Sequence, residues 1–138
     1  DEQAIRLEAA EQKKEPANKK RILVVDDNGT ALRTMKAMLE ADYDVALAVS
    51  GAQAMTSIGK QRPDLILLDY EMPVCDGRMT LEMIRADEEM KDIPVIFLTA
   101  INDRANIEAV LKLKPAGYFL KPAIKDQLLA EIAKVLAQ

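Results

Sequence analysis

The stretch RILVVDDNGT, Arg21 to Thr30, runs from four consecutive apolar residues through two aspartates into a turn. A short, continuously apolar and branched run is typical of a strand that is buried on both faces, as in a parallel sheet. Nothing about a strand requires two neighbouring carboxylates, and Asp26 and Asp27 repel each other. The stretch therefore raises two questions: whether the pattern recurs along the chain, and what the acidic pair holds.

The apolar pattern recurs along the chain, separated each time by a segment of helical periodicity. The runs are Ile22–Val25, Val45–Val49, Leu65–Leu68, Val95–Leu98 and Gly117–Leu120. Three of them are continuously apolar and rich in branched residues, which favours central strands of a parallel sheet. Strands that alternate with helices in this way indicate an α/β domain.

The segments between the runs place apolar residues on one helical face. In Thr30–Ala41 the stripe consists of Leu32, Met35, Met38 and Leu39. In Ile124–Leu136 it consists of Ile124, Leu128, Ile132, Val135 and Leu136. Ser50 and Asn102 each precede a helical segment, and both are predicted to be helix N-caps.

The composition excludes several classes of function. The 138-residue chain has a formal net charge of −4, which argues against a nucleic-acid-binding face. It contains no histidine, so a histidine general base, a histidine-ligated metal site and phosphohistidine chemistry within this chain are excluded. The single cysteine, Cys75, cannot form an internal disulfide, and no apolar run reaches the roughly 18 residues of a membrane span. We therefore expect one cytoplasmic domain without membrane or nucleic-acid contacts of its own.

Residues 1–20 differ in character from the remainder of the chain. They are polar, rich in Ala, Glu and Gln, and interrupted by Pro16. We expect a helical or flexible linker there, followed by a folded domain at residues 21–138. A junction to an upstream domain is the alternative interpretation.

The residues that follow the predicted strands carry the chemistry. In an open parallel sheet the carboxyl ends of the strands share one edge, where loops and helix N-termini converge. Asp26 and Asp27 follow the first run, Asp69 the third, Thr99 the fourth and Lys121 the fifth. Three carboxylates suit Mg²⁺, which relieves their mutual repulsion and takes phosphate oxygens as further ligands. A carboxylate beside the metal can accept a phosphoryl group, while an ammonium and a hydroxyl stabilise its oxygens.

These residues lie in motifs that resemble those of a known family. From about Lys20 to Gln138 the chain resembles the receiver domain of two-component response regulators, in ILVVDDN, LILLDYEMPVCDG, VIFLTA and YFLKP. The resemblance implies a flavodoxin-like (βα)₅ fold, a doubly wound parallel sheet with strand order 2-1-3-4-5. It also implies a phosphoacceptor signalling domain rather than an enzyme, one that assists its own phosphorylation and dephosphorylation.

The resemblance assigns a role to each acidic residue. It implies that Asp69 accepts a phosphoryl group from a phosphohistidine on a histidine kinase or a histidine phosphotransfer protein. Asp26 and Asp27 would hold Mg²⁺ together with Asp69 and the backbone carbonyl of Glu71, with Asp27 the direct ligand of the pair. Lys121 would pair with the phosphoryl group.

The resemblance also implies a switch. Thr99 and Tyr118 would form the pair that alters the face made by the fourth helix, the fifth strand and the fifth helix. That face would bind a downstream effector domain or protein, or a second copy of the chain in a homodimer. The family usually has glycine where this chain has Lys114, followed by Pro115, so we expect a different turn after the fourth helix.

Other interpretations remain open at the level of sequence. A degenerate receiver would act only as an interaction module and would not respond to Mg²⁺. A phosphatase of the haloacid-dehalogenase type requires D-x-D, whereas this chain has Asp69-Tyr70-Glu71. A dinucleotide-binding fold requires G-x-G-x-x-G, and DDNGT offers one glycine. A stand-alone regulator, a receiver of a hybrid kinase and a piece of a larger regulator are all consistent with the motifs.

Overall fold

The structure is a computed structural model that describes residues 19–70, 72, 77–99, 108, 111–112, 114–121 and 124–137. Its centre is a five-stranded sheet in the order β2-β1-β3-β4-β5, and every neighbouring pair is parallel. The strands are β1 (Arg21–Val25), β2 (Asp44–Ala48), β3 (Leu65–Asp69), β4 (Val95–Thr99) and β5 (Gly117–Leu120). The predicted doubly wound α/β fold and its strand order are therefore confirmed.

Helices connect the strands. Three described helices lie between consecutive strands, namely α1 (Gly29–Leu39), α2 (Gly51–Lys60) and α3 (Gly77–Ala86), and the last helix (Lys125–Leu136) follows β5. The Ser50 side chain accepts a hydrogen bond from the Gln53 amide, which confirms the predicted N-cap of α2. Asn102 lies outside the described residues, as do residues 1–18. Glu108 and Leu111 are helical, in the segment that the sequence predicts to be a helix before β5.

The sheet is packed on both faces, because alternate residues of each strand point to opposite sides. One core joins Leu23, Ile66 and Phe97 to α2 and α3, through buried residues such as Ile58 and Leu81. The other core lies against α1 and the last helix; it includes Ile22, Val24, Leu65, Leu67, Ile96, Leu98, Leu32, Met35, Leu39, Leu128, Ile132 and Val135. The three central strands are buried almost throughout, whereas most residues of the edge strands β2 and β5 are half-buried.

One predicted core position is wrong. Ile124 belongs to the apolar stripe in the sequence, but 56% of its surface is exposed. It lies one residue before the last helix and has extended backbone angles, so the helical periodicity does not reach it. Among the described residues, no helix is long and apolar enough to cross a membrane.

The chain before β5 has an unusual backbone. Lys114 has a φ of 56°, and it is the one non-glycine residue in the described part of the chain with a positive φ. Its amide donates to Leu111 O at 3.0 Å, and two residues later the Ala116 amide donates to Val95 O at 2.7 Å. Lys114, at the position where the resembled family usually has glycine, thus has a positive φ, which glycine adopts more readily than any other residue.

Candidate functional site

Three aspartates lie together at the carboxyl edge of the sheet. Asp26 follows β1 and Asp69 ends β3, and these two strands are hydrogen-bonded neighbours. One carboxylate oxygen from each of Asp26, Asp27 and Asp69 lies within 4.8 Å of the other two. Asp26 and Asp69 are 2% and 1% exposed, whereas Asp27 faces solvent. The cluster therefore has two buried carboxylates and one that solvent reaches.

The turn after β1 fixes the carboxylate of Asp26. The Asp26 amide donates to Ala48 O at 3.1 Å, which continues the β1–β2 ladder by one residue. Its Oδ1 accepts a hydrogen bond from the Asn28 amide at 2.9 Å. Asn28 in turn caps α1, since its side chain accepts from the Ala31 amide at 3.0 Å. Asn28 is a functional residue that was not predicted from the sequence, although an asparagine directly before a helix is a recognised N-cap signal.

Lys121 brings a positive charge from β5 to the aspartates. Its amide donates to Thr99 O at 2.9 Å, and its Nζ lies 2.8 Å from Asp69 Oδ1 and 3.4 Å from Asp26 Oδ2. Burial acts to lower the pKa of this ammonium. The hydrogen bond to Asp69 and the charges of Asp69 and Asp26 outweigh burial, so the pKa lies above its ordinary value. Lys121 is therefore held in its charged form at neutral pH.

The predicted switch residues Thr99 and Tyr118 lie at different distances from the carboxyl ends of the strands. Thr99 is 5% exposed and ends β4, opposite Leu120 in the β4–β5 register. Tyr118 is half-buried in β5, lies opposite Phe97, and packs against the core that includes α2 and α3. Thr99 thus shares the edge with the aspartates, and Tyr118 lies further into the sheet. Glu71, the predicted carbonyl ligand, lies outside the described residues.

Gly77 holds the start of α3 against the strand that carries Asp69. Its amide donates to Tyr70 O at 3.0 Å. An added Cβ would lie 2.6 Å from Asp69 O, 2.7 Å from Tyr70 Cα and 2.9 Å from a ring carbon of Phe97. Two of these three atoms belong to the backbone and cannot rotate away. This role was not predicted from the sequence, although Gly77 is the last residue of the motif LILLDYEMPVCDG.

The donor set at this edge fits a magnesium ion. Within the part of the chain that the structure describes, three carboxylates face the Lys121 ammonium, which leaves an excess of negative charge around two buried groups. Buried charges require a counter-charge or a metal, and oxygen ligands are those that Mg²⁺ prefers. Asp26, Asp27 and Asp69 are the residues that would hold it, with Asp27 open to solvent on the outer side.

Comparison with known proteins gives a family. Residues 22–133 match the family model of the response regulator receiver domain. The transcriptional regulatory protein PrrA of Mycobacterium tuberculosis is 36% identical over 117 residues, which cover 84% of this chain and 49% of PrrA. The DNA-binding response regulator MtrA of Mycobacterium leprae is 32% identical over 115 residues, which cover 83% of this chain and 50% of MtrA. The chain thus spans about half the length of these relatives.

Solved structures with the same architecture include two receivers from different settings. The chemotaxis protein CheY4 of Vibrio cholerae is 26% identical with a TM-score of 0.80, over 85% of this chain and 98% of CheY4. The signal receiver domain of a signal transduction histidine kinase from Syntrophus aciditrophicus is 28% identical with a TM-score of 0.79, over 86% of this chain and 90% of that domain.

Proposed function

This chain belongs to the response regulator receiver family, and we propose that it accepts a phosphoryl group on Asp69 from a phosphohistidine of a partner protein. The proposal rests on one observation above all. The carboxylate of Asp69 is almost fully buried, yet it lies beside Asp26, Asp27 and the ammonium of Lys121. The Asp69 carboxylate can act as the nucleophile toward phosphorus, and the Lys121 ammonium beside it can bind the phosphoryl oxygens.

The proposed transfer is an in-line displacement. An oxygen of Asp69 forms a bond to phosphorus as the phosphorus–nitrogen bond of the phosphohistidine breaks, and the electron pair of that bond returns to the imidazole. Lys121 offsets the charge on the phosphoryl oxygens, and the Thr99 hydroxyl donates to one of them. Mg²⁺, when bound by Asp26, Asp27, Asp69 and the Glu71 carbonyl, would supply further positive charge against the same oxygens. Because Asp69 itself receives the phosphoryl group, the proposed role is that of a phosphoacceptor rather than of an enzyme that acts on a separate substrate.

The proposed output is a change in β5 and its neighbouring helices. On phosphorylation the Thr99 hydroxyl would move toward the phosphoryl group and Tyr118 would turn inward. We propose a histidine kinase or histidine phosphotransfer protein as the donor, in the cytoplasm, and an effector domain or protein or a second copy of this chain as the receiver of the signal. PrrA and MtrA, whose names describe transcriptional regulation and DNA binding, favour an effector of that kind.

Phosphorylation from a small donor tests the proposal. With Mg²⁺ and acetyl phosphate, we expect intact-mass spectrometry to show one added phosphoryl group on the wild-type chain, and none after chelation. The Asp69→Asn variant should remain unmodified. Asp42→Asn removes an exposed carboxylate at the opposite edge of the sheet, and it should be modified like the wild type. Phosphorylation of Asp69→Asn, or of the wild type without a divalent metal, would overturn the assignment.

A further inference from the structure

The edge strand β5 carries the proposed switch residue Tyr118 and leads directly into Lys121. It is four residues long, most of it is half-buried, and it is the last strand of the sheet, where it pairs with β4. At its carboxyl end Lys121 ties it to Asp69 and Asp26 through the ion pairs of the site. Any change at Asp69 therefore acts on this end of the strand, and its effect on Tyr118 depends on what holds the other end.

Arg85, in the last turn of α3, holds that other end. Its Nη1 donates to Lys91 O at 2.9 Å and to Ile93 O at 3.0 Å, both in the segment before β4. Its Nη2 donates to Lys114 O at 3.3 Å, in the segment before β5. One planar guanidinium therefore joins α3 to the amino-terminal ends of both strands. A lysine ammonium, with a single nitrogen, has no such fork.

Arg85 lines a cleft between the end of α3 and the chain before β5. A cleft of about 570 Å³ lies at this place, and its lining includes Arg85, Pro94, Lys114 and Ala116. Partial burial lowers the pKa of the Arg85 guanidinium, against an opposing effect of Asp92. A partly desolvated cation makes stronger hydrogen bonds than an exposed one. The guanidinium therefore joins the two sides of this cleft through hydrogen bonds.

The backbone at Lys114 is itself in need of support. A lysine at a φ of 56° is disfavoured, because its Cβ crowds the neighbouring carbonyl oxygen. Such conformations persist where surrounding contacts fix them. Here the fixing contacts are the Lys114 amide on Leu111 O and the Arg85 guanidinium on Lys114 O.

We propose that Arg85 is a positioning residue for the switch. It anchors the amino-terminal end of β5, so that a displacement at Lys121 is transmitted to Tyr118 instead of being lost as a shift of the whole strand. The claim that Arg85 anchors β5 concerns the unphosphorylated protein. The claim that the displacement is transmitted to Tyr118 rests on the proposed phosphorylation of Asp69. The two claims are tested separately.

Hydrogen exchange tests the anchoring. In Arg85→Gln we expect the amides of Ala116 and β5 to exchange about tenfold faster or more, as for the loss of charged hydrogen bonds. Amides of β1 and β3 should exchange as in the wild type, which also shows that the variant is folded. Arg78→Gln is the matched control, because Arg78 lies on the same helix and pairs only with Glu82 among the ion pairs of the described residues, on its exposed face. Unchanged exchange in β5 of Arg85→Gln, or an equal effect of Arg78→Gln, would overturn the proposal.

A second variant and a second measurement separate positioning from charge and from stability. Arg85→Lys keeps the charge without the fork, and we expect it to resemble Arg85→Gln; recovery of wild-type exchange would overturn the role of the fork. With Mg²⁺ and fluoroberyllate as phosphoryl analogue, Arg85→Gln should still bind the analogue while the amide NMR shift of Tyr118 changes less than in the wild type. A full Tyr118 response would overturn transmission. A wild-type chain that binds no analogue would instead refute the proposed function, and the exchange result would still decide the anchoring.

Discussion

Gly77 lies against the backbone of the strand that ends at Asp69, and its hydrogen atom occupies space in which a Cβ would meet Asp69 O and Tyr70 Cα below 3.0 Å. The distance between α3 and β3 is therefore set by the absence of a side chain. The position of the Asp69 carboxylate follows from that distance, because its own backbone forms the contact. A residue with no functional group thus contributes to the site through shape alone.

We predict that Gly77→Ala lowers the free energy of unfolding by about 1–3 kcal/mol, the usual cost of overpacking. It should also slow phosphorylation of Asp69, because the backbone of that residue must move. Urea denaturation measures the first effect and intact-mass kinetics the second. Gly59→Ala is the matched control, since a Cβ at Gly59 meets nothing within 4 Å. Replacing a glycine in a helix by alanine should raise the free energy of unfolding by at most about 1 kcal/mol. Equal stability of Gly77→Ala and the wild type would contradict the packing argument.

Strands that are buried on both faces could be predicted from the sequence, whereas residues whose position depends on tertiary contacts could not. The runs of β3 and β4 were predictable because strands buried on both faces must be apolar throughout. The predicted place of Ile124 on the apolar face of the last helix is wrong, because the residue precedes the first helical turn although it fits the periodicity. No sequence pattern marks Arg85: it donates to backbone carbonyl oxygens that lie six, eight and 29 residues away along the chain, and nothing in the local sequence indicates them.

The segment before β5 gives a prediction at the scale of an element. Lys114→Gly keeps the carbonyl that Arg85 binds and removes the left-handed strain. We expect the free energy of unfolding to rise by about 1 kcal/mol, the left-handed penalty less the greater unfolded-state entropy of glycine. Lys112→Gly serves as control in the same segment, because Lys112 has no positive φ and glycine there should destabilise. Thermal or urea unfolding of both variants compares them, and a loss of stability in Lys114→Gly would show that the strain is not stored at this residue.

Across the whole molecule, the parallel sheet explains why the candidate site was largely predictable. The carboxyl ends of parallel strands lie at one edge of the sheet. Asp26 and Asp69 therefore become neighbours although they are 43 positions apart, independently of the conformation of the loops. The sequence does not reveal which carboxylates are buried. In the structure Asp26 is buried and accepts hydrogen bonds from the Asn28 amide and the Lys121 ammonium, whereas Asp27 is exposed.

The same charge cluster links the site to the stability of the entire fold. Without a bound metal, the three carboxylates repel one another, and the Lys121 ammonium offsets only part of their charge. A divalent cation that binds only the folded chain should therefore stabilise it. At a Mg²⁺ concentration of 100 times Kd, the expected gain in the free energy of unfolding is about 2.7 kcal/mol. Asp27→Ala should be at least as stable as the wild type without Mg²⁺, because repulsion is relieved, and it should lose most of the gain with Mg²⁺ together with phosphorylation.

Urea unfolding with and without Mg²⁺ measures this linkage, and Asp42→Ala is its control. Asp42 is an exposed aspartate in the turn before β2, at the edge of the sheet opposite to the cluster. Its removal changes the net charge by the same amount, so it should leave the Mg²⁺-dependent gain intact. If Asp27→Ala kept that gain, the ion would bind elsewhere. If both variants lost it equally, the stabilisation would come from general screening of a negatively charged chain rather than from a seat between Asp26, Asp27 and Asp69.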